Sequence, residues 1–139
     1  MLFRSPISRY VADFVGKSNF IDGSFTSETN GIGQITTPAG QTFTGRVAAP
    51  LAPGAKATLS IRPEQIELTH AARNSGEPVT VINRIFLGEH TEYLVRHAGL
   101  GDLLVLVARQ PEAAEGPFAP GDAGFIGWAP DVALILAQD

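Results

Sequence analysis

The chain has 139 residues, a length that fits one compact domain or two small, closely packed ones. Its net charge of −4 and its scattered Lys and Arg residues argue against nucleic-acid binding, because phosphate contacts need a clustered basic face. The absence of cysteine excludes disulfides, thiolate zinc sites and cysteine nucleophiles. No apolar stretch approaches bilayer-spanning length and no secretory signal pattern is present, so we expect a cytoplasmic protein without direct membrane insertion.

The first predicted element is a helix within residues 1–17. Ser5 is a good N-cap, and Pro6 suits the first helical position because its missing N–H would be unpaired there anyway. Apolar residues then recur at helical spacing until Gly16, which favours a helix end. The stripe consists of Tyr10, Val11, Phe14 and Val15. Because so short a helix is marginal alone, we expect this stripe to dock on another surface.

After Lys17 the hydrophobic period changes to two, which predicts β-strands for residues 18–139. The strands predicted in the first part are 19–28, 33–37, 42–48 and 56–62. Asn30-Gly31 predicts a tight hairpin, since both residues accept positive φ. The strand at 56–62 alternates apolar and polar residues, which indicates one buried face.

A polar loop at 70–77 is followed by further predicted β-strands, so the chain has possible halves at 18–70 and 78–139. The strands predicted there are 79–87, 91–97, 102–109, 123–128 and 132–137, with a loop at 110–120. Leu103–Ala108 is apolar on both faces, which predicts a central position between two packed layers. Short strands separated by Gly and Pro predict a mainly β fold, a pair of OB-like barrels with one short N-terminal helix.

A proline corner follows the strand at 56–62. Pro63 ends that strand, because the residue before a proline avoids helical geometry and the proline itself has no N–H to donate. Arg62 and Glu64 then either pair with each other or contact a partner surface. The corner is therefore a candidate for a fixed angle between strands or for an interface.

A second corner contains the sole tryptophan. Trp128 precedes Pro130-Asp131 and a short predicted strand. A tryptophan in this position either fills the core with its N–H bonded to backbone or offers a binding platform. Trp128, Pro130 and Asp131 are candidates for a structural or an interface role.

No catalytic, cofactor or metal site is predicted. Gly16-Lys17-Ser18 has the last three letters of a phosphate-binding loop, but Val11 stands where that loop needs its first glycine. The predicted helix also precedes these residues, so no helix N-terminus faces a phosphate. The glycines at 31–33 and 38–40 are predicted to form hairpin turns rather than anion nests. The histidines, which are too dispersed for a metal site, are His70, His90 and His97.

Three segments together resemble the C-terminal regulatory region, called TOBE, of the ATP-binding subunits of ABC importers: Tyr10–Phe20, Ser60–Leu68 and Gly127–Leu136. The nearest likeness is to the branch for polyamines, iron and related solutes. The resemblance implies that 1–17 is a linker helix from an ATPase domain and that 18–139 is the regulatory β domain. It implies a chain without ATPase activity, whose parent protein binds ATP and Mg.

The resemblance also implies partners. These are a second copy, the ATPase domain of the same parent chain and the membrane subunits of a transporter, at the inner face of the cell membrane. The apolar stripe favours a homodimer in which the β-barrels supply the interface and the first helix crosses over to the other protomer or caps it.

A similar fold occurs in free-standing molybdate- or tungstate-binding proteins. Such proteins hold an oxyanion with backbone N–H groups and with Ser, Thr and Lys side chains. The candidates for this alternative are Thr36, Thr37, Lys56 and Thr58. The linker helix favours the regulatory domain, because a free binding module has no need of it.

Overall fold

The computed structural model describes residues 18–71 and 76–138. The strands, in chain order, are β1 (Asn19–Thr29), β2 (Ile32–Thr36), β3 (Thr42–Val47), β4 (Lys56–Ile61), β5 (Glu67–Thr69), β6 (Glu77–Phe86), β7 (His90–His97), β8 (Gly101–Ala108), β9 (Ala123–Gly127) and β10 (Leu134–Ala137). A 3-10 turn covers Pro63–Gln65, and helix α1 covers Arg109–Glu115. The mainly β prediction is confirmed, whereas the predicted N-terminal helix lies outside the described residues.

The first unit comprises 18–61 and 129–138 of the described residues, and it is a closed barrel with strand order β1-β2-β3-β10-β4. All its pairs are antiparallel except β10 with β3. The hairpin predicted from Asn30-Gly31 is present, and the two residues have φ of 54° and 83°. The barrel interior is filled by apolar side chains from every strand, among them Ile21, Phe25, Ile35, Phe43, Leu59 and Ile135.

Two glycines let the strands of this small barrel approach closely. A Cβ on Gly23 would lie 2.6 Å from the Thr36 carbonyl oxygen. A Cβ on Gly33 would lie 2.9 Å from Phe25 Cε1, so Gly33 leaves the space that this ring occupies. Glycine inside a strand is otherwise unfavourable, and here close packing explains it.

The second unit, Arg62–Trp128, is built on a five-stranded antiparallel sheet with the order β5-β9-β6-β7-β8. Its core is apolar apart from the Tyr93 hydroxyl and four buried polar side chains, which are Thr69, Thr91, His97 and Glu112. The buried residues include Leu68, Val79, Val81, Tyr93, Val95, Leu103, Val105, Phe118 and Ile126. Pro63 is also buried, at the start of the 3-10 turn.

Two expectations about the arrangement of the strands differ from the structure. The two units do not coincide with the halves 18–70 and 78–139, because β10 pairs with β3 and β4 and completes the first barrel. The strand containing Leu103–Ala108 lies at one end of the described sheet, not at its centre. Its Leu104 and Leu106 are only half-buried. The prediction was wrong because the apolar content of a strand does not determine its position within a sheet.

Helix α1 occupies most of the segment predicted as a loop. Pro111 lies in the first turn, where its missing N–H costs nothing, and Ala113 and Ala114 are strong helix formers. Gly116 ends the helix with φ 97°, and its N–H donates to the Glu112 carbonyl at 2.8 Å. The proline and glycine within the predicted loop are the start and stop signals of a short helix.

Candidate functional site

The β6–β7 hairpin ends in an apolar tip, which we define as Ile85, Phe86 and Leu87. These side chains are 45%, 60% and 56% exposed, and they are the exposed large hydrophobic residues found in the described part of the chain. Leu87 N–H donates to the His90 carbonyl at 2.7 Å, which closes the two-residue loop. Contiguous exposed apolar residues at one place are typical of an interaction surface.

The tip is exposed because the hairpin extends past its neighbouring strand. The register of β6 with β9 ends at Thr80 opposite Ala123, and Val81 N–H then donates to the Asp122 carbonyl at 2.8 Å. Beyond Val81, none of the strands in 18–71 or 76–138 lies along the outer edge of β6. All residues from 83 to 90 are consequently exposed.

A buried carboxylate anchors the hairpin at the base of the tip. Glu112 of α1 accepts hydrogen bonds from the Tyr93 hydroxyl and from Thr91 Oγ1, the latter at 2.9 Å. The Arg84 guanidinium donates to the same carboxylate at 3.3 Å and forms an ion pair with it. Because Arg84 and Thr91 flank the tip on its two strands, Glu112 fixes the hairpin against α1.

The protonation states suit this anchor. Burial raises the pKa of the Glu112 carboxyl, but hydrogen bonds from Tyr93, Thr91 and Arg84 outweigh it and hold the pKa below its ordinary value. Burial, and next the hydrogen bond with Glu112, raise the pKa of the Tyr93 hydroxyl. The carboxylate is therefore charged and the phenol neutral at pH 7, which is the combination the hydrogen bonds need.

Aromatic contacts extend the anchor. The Phe118 N–H donates to the Tyr93 oxygen at 3.1 Å, and the two rings meet edge to face at 5.8 Å. The His70 ring stacks on Phe118 at 3.9 Å, and its Nε2–H donates to the Gly116 carbonyl at 3.0 Å. These contacts hold the segment that follows the C-terminal end of α1 on the sheet.

The residues predicted at the first corner form a local pair. Arg62 Nε and Glu64 Oε2 are 2.8 Å apart, with both side chains about half exposed. Gln65 N–H donates to the Arg62 carbonyl at 3.0 Å, which completes the turn. This geometry favours a fixed corner, although the local pair leaves both side chains accessible to a partner.

The residues of the second corner are more exposed than residues of a protein core are. Trp128 is half-buried, and Pro130 and Asp131 are exposed. The helix stripe Tyr10, Val11, Phe14 and Val15 lies outside the described residues.

The histidines lie in separate environments. His97 is buried, with Nδ1 accepting from Gly99 N–H at 3.0 Å and Nε2–H donating to Glu77 at 2.8 Å. His90 is exposed at the hairpin loop. Nowhere in 18–71 or 76–138 do three His, Asp or Glu side chains group as metal ligands would.

Two of the oxyanion candidates already use their hydroxyl groups. Thr58 Oγ1 donates to Asp22 at 2.8 Å, and Thr37 Oγ1 accepts from Gln41 N–H at 3.2 Å. Thr36 of β2 and Lys56 of β4 both pair with Ser24 of β1, so these two candidates lie on the two sides of that residue in the barrel.

The sequence matches the family model for the TOBE domain over residues 59–136. The chain belongs to the TOBE domain family. Both corners and the complete β6–β7 hairpin lie within the matched residues. In this TOBE domain, no helix of the described residues has the length and hydrophobicity needed to cross a bilayer.

This TOBE domain is similar in sequence to ATP-binding proteins that are named for import. The spermidine/putrescine import ATP-binding protein PotA 1 of Pseudomonas aeruginosa is 35% identical over 135 residues, which cover 97% of this chain and 36% of the relative. The Fe(3+) ions import ATP-binding protein FbpC 1 of Pectobacterium atrosepticum is 30% identical over 137 residues, 99% of this chain and 35% of the relative. The chain thus spans about a third of the length of these relatives.

A solved structure of the cytoplasmic molybdate-binding protein ModG has a TM-score of 0.74 with this TOBE domain. The match covers 86% of this chain and 95% of that chain at 16% sequence identity. At this identity the likeness shows the fold alone, and it confirms the OB-like fold class.

The apolar tip and its anchor did not emerge from the sequence. Ile85 and Phe86 lie at the end of the predicted strand 79–87, and Glu112 lies in the predicted loop 110–120. A usable signal was the run of three large apolar residues directly before Gly88, which places them at a turn.

Proposed function

We propose that this chain is the regulatory and dimerisation domain of the ATP-binding subunit of an ABC importer for a polyamine-like solute. The observation that carries the proposal is the alignment of 97% of the chain with about a third of a relative named for spermidine/putrescine import. Membership of the TOBE family supports it. Its partners are a second copy, the ATPase domain of the parent chain and the membrane subunits, at the inner face of the cell membrane.

The domain itself does not hydrolyse ATP in this proposal, and the rest of the parent protein binds ATP and Mg. The sequence supports this division, because Gly16-Lys17-Ser18 lacks the glycine-rich loop that binds nucleotide phosphates. The domain acts through binding energy, which favours one arrangement of the two ATPase domains over another.

A chimera tests the proposal. The third of the Pseudomonas aeruginosa relative that aligns with this chain is replaced by this chain, and spermidine uptake is measured in cells that lack the native relative. We expect the chimera to restore uptake and the same protein without that third to restore none. An ATP-hydrolysing chimera whose uptake equals that of the deletion would contradict the proposal.

The alternative of an oxyanion-binding protein is disfavoured by Asp22. Its carboxylate accepts the Thr58 hydroxyl at 2.8 Å, so a bound molybdate would lie beside a like charge. We expect calorimetric titration with sodium molybdate to give no heat beyond dilution. Saturable binding that Lys56→Ala abolishes and Lys17→Ala leaves intact would establish the alternative instead.

A further inference from the structure

We infer that the apolar tip pairs with the same tip of a second copy, Phe86 lying opposite the partner's Phe86 in a short antiparallel ladder around a two-fold axis. The inference rests on the proposed function for the existence of a dimer, and it adds the surface and the register. It is carried by the exposure of the tip, the free edge of β6 and the order of charges along the hairpin.

The exposed hydrophobic side chains indicate which surface of a second copy the tip contacts. The described residues of this chain expose no large hydrophobic side chain besides Ile85, Phe86 and Leu87. A second copy therefore offers one matching apolar surface in that part of the chain, the same tip. Contact between identical surfaces closes as a two-fold dimer and does not propagate into a filament.

The edge of β6 leaves the backbone of Phe86 available. Leu87 N–H faces β7, because it donates to the His90 carbonyl. Inward and outward groups alternate along an antiparallel strand, so the N–H and C=O of Phe86 face outward. The Arg84 N–H is covered by its neighbour, since Asn83 Oδ1 accepts it at 2.9 Å. Strand addition is thus confined to the tip, where Phe86 exchanges two hydrogen bonds with its copy.

This register places no like charges opposite each other. With Phe86 at the axis, Ile85 lies opposite the partner's Leu87, and Arg84 lies opposite the partner's Gly88. Apolar cross-strand pairs stabilise such a ladder, whereas like charges in these positions would weaken it. Arg84 also keeps its ion pair with Glu112, so pairing does not disturb the anchor.

The rim of the tip carries both signs of charge. Glu89 and Arg109 are exposed, and they are neighbours because Arg109 N–H donates to the Glu89 carbonyl at 3.1 Å. Two copies that each carry a net charge of −4 repel least where the local charge is balanced. Three side chains make a small interface, so we expect a weak dimer with a dissociation constant of roughly 10 to 500 µM.

Sedimentation equilibrium over a range of concentrations tests the pairing. The wild-type chain is expected to approach the dimer mass, and Phe86→Asp to stay monomeric, because the substitution sets two carboxylates opposite each other. Thr29→Asp is the matched control, since it adds the same charge to the exposed end of the β1–β2 hairpin and should leave the dimer intact. Circular dichroism checks that both variants keep the wild-type fold.

Cross-linking gives a second, independent readout. The chain contains no cysteine, so Leu87→Cys introduces a single thiol while Phe86 stays in place. A short bismaleimide should join two Leu87→Cys chains and leave Thr29→Cys chains unlinked. If Phe86→Asp fails to fold, cross-linking of Leu87→Cys still tests whether the two tips pair.

Two outcomes overturn the inference. One is a dimer that Phe86→Asp leaves intact and that Leu87→Cys does not cross-link, in which case dimerisation as a function stands and only the surface is wrong. The other is a wild-type chain that stays monomeric near millimolar concentration, including one that binds vesicles or the rest of its parent protein through Phe86. The uptake chimera is scored separately, so failure of the proposed function remains distinguishable.

Discussion

Replacing Gly23 with alanine is expected to lower the free energy of unfolding of the barrel by about 3 kcal/mol or more. The added Cβ would lie 2.6 Å from the Thr36 carbonyl oxygen and 3.0 Å from its carbon. Both are backbone atoms of β2, which cannot rotate away as a side-chain terminus could. The alanine must therefore push β1 and β2 apart, and a closed barrel passes that displacement to its other strands.

Urea unfolding followed by far-UV circular dichroism measures this effect. Ser24→Ala is the matched control, because Ser24 is the next residue of β1 and its side chain is exposed. We expect the control to change the free energy of unfolding by less than about 0.5 kcal/mol. Equal midpoints for Gly23→Ala and Ser24→Ala would show that β1 and β2 have room to separate.

The strands themselves could be predicted because their signals are local. The change to period two after Lys17 and the Asn30-Gly31 turn predicted β1 and β2 to within a residue or two of their bounds. The neighbours of a strand are not local. β10 alternates like any short strand, yet it pairs parallel to β3 across more than eighty residues of intervening chain. That partner choice depends on closure of the barrel, and this is why the predicted halves differ from the two units.

The candidate site was harder to predict for the same reason. Phe86 and Val81 lie in one strand, but Val81 is buried and Phe86 is exposed because β9 begins only at Ala123. The length of a neighbouring strand decides this difference, and nothing within β6 encodes it. The burial of Glu112 was equally hard to predict. It depends on Tyr93 and Thr91, which lie about twenty residues earlier in the chain, on β7.

Replacing Glu112 with alanine is expected to lower the free energy of unfolding of the second unit by about 3 kcal/mol. The substitution removes the acceptor for the buried hydroxyls of Thr91 and Tyr93 and the ion-pair partner of Arg84. Arg84 can still reach water, because about a third of its side chain is exposed, so the cost comes mainly from the two hydroxyls. Glu112→Gln keeps an acceptor and should cost less.

The effect of Glu112→Ala should depend on pH with a definite sign. Although burial raises the Glu112 pKa, its hydrogen bonds hold the folded-state pKa below the ordinary value of 4.5. Between these two pKa values the unfolded chain binds more protons than the folded one, so the stabilisation is complete above about pH 4.5 and is lost as the pH falls through the folded-state value. The gap between wild type and Glu112→Ala should therefore narrow below pH 4.5.

Trp128 provides the measurement, since it is the sole tryptophan and belongs to the same unit as Glu112. Urea unfolding followed by its fluorescence should give the stability difference at pH 7 and at pH 3.5. Glu89→Gln is the matched control, because it neutralises an exposed carboxylate on the hairpin loop, and it should match wild type within about 0.5 kcal/mol. If Glu112→Ala and Glu89→Gln unfold at the same urea concentration, Glu112 does not anchor the hairpin, and the tip must be held by its strand pairing alone.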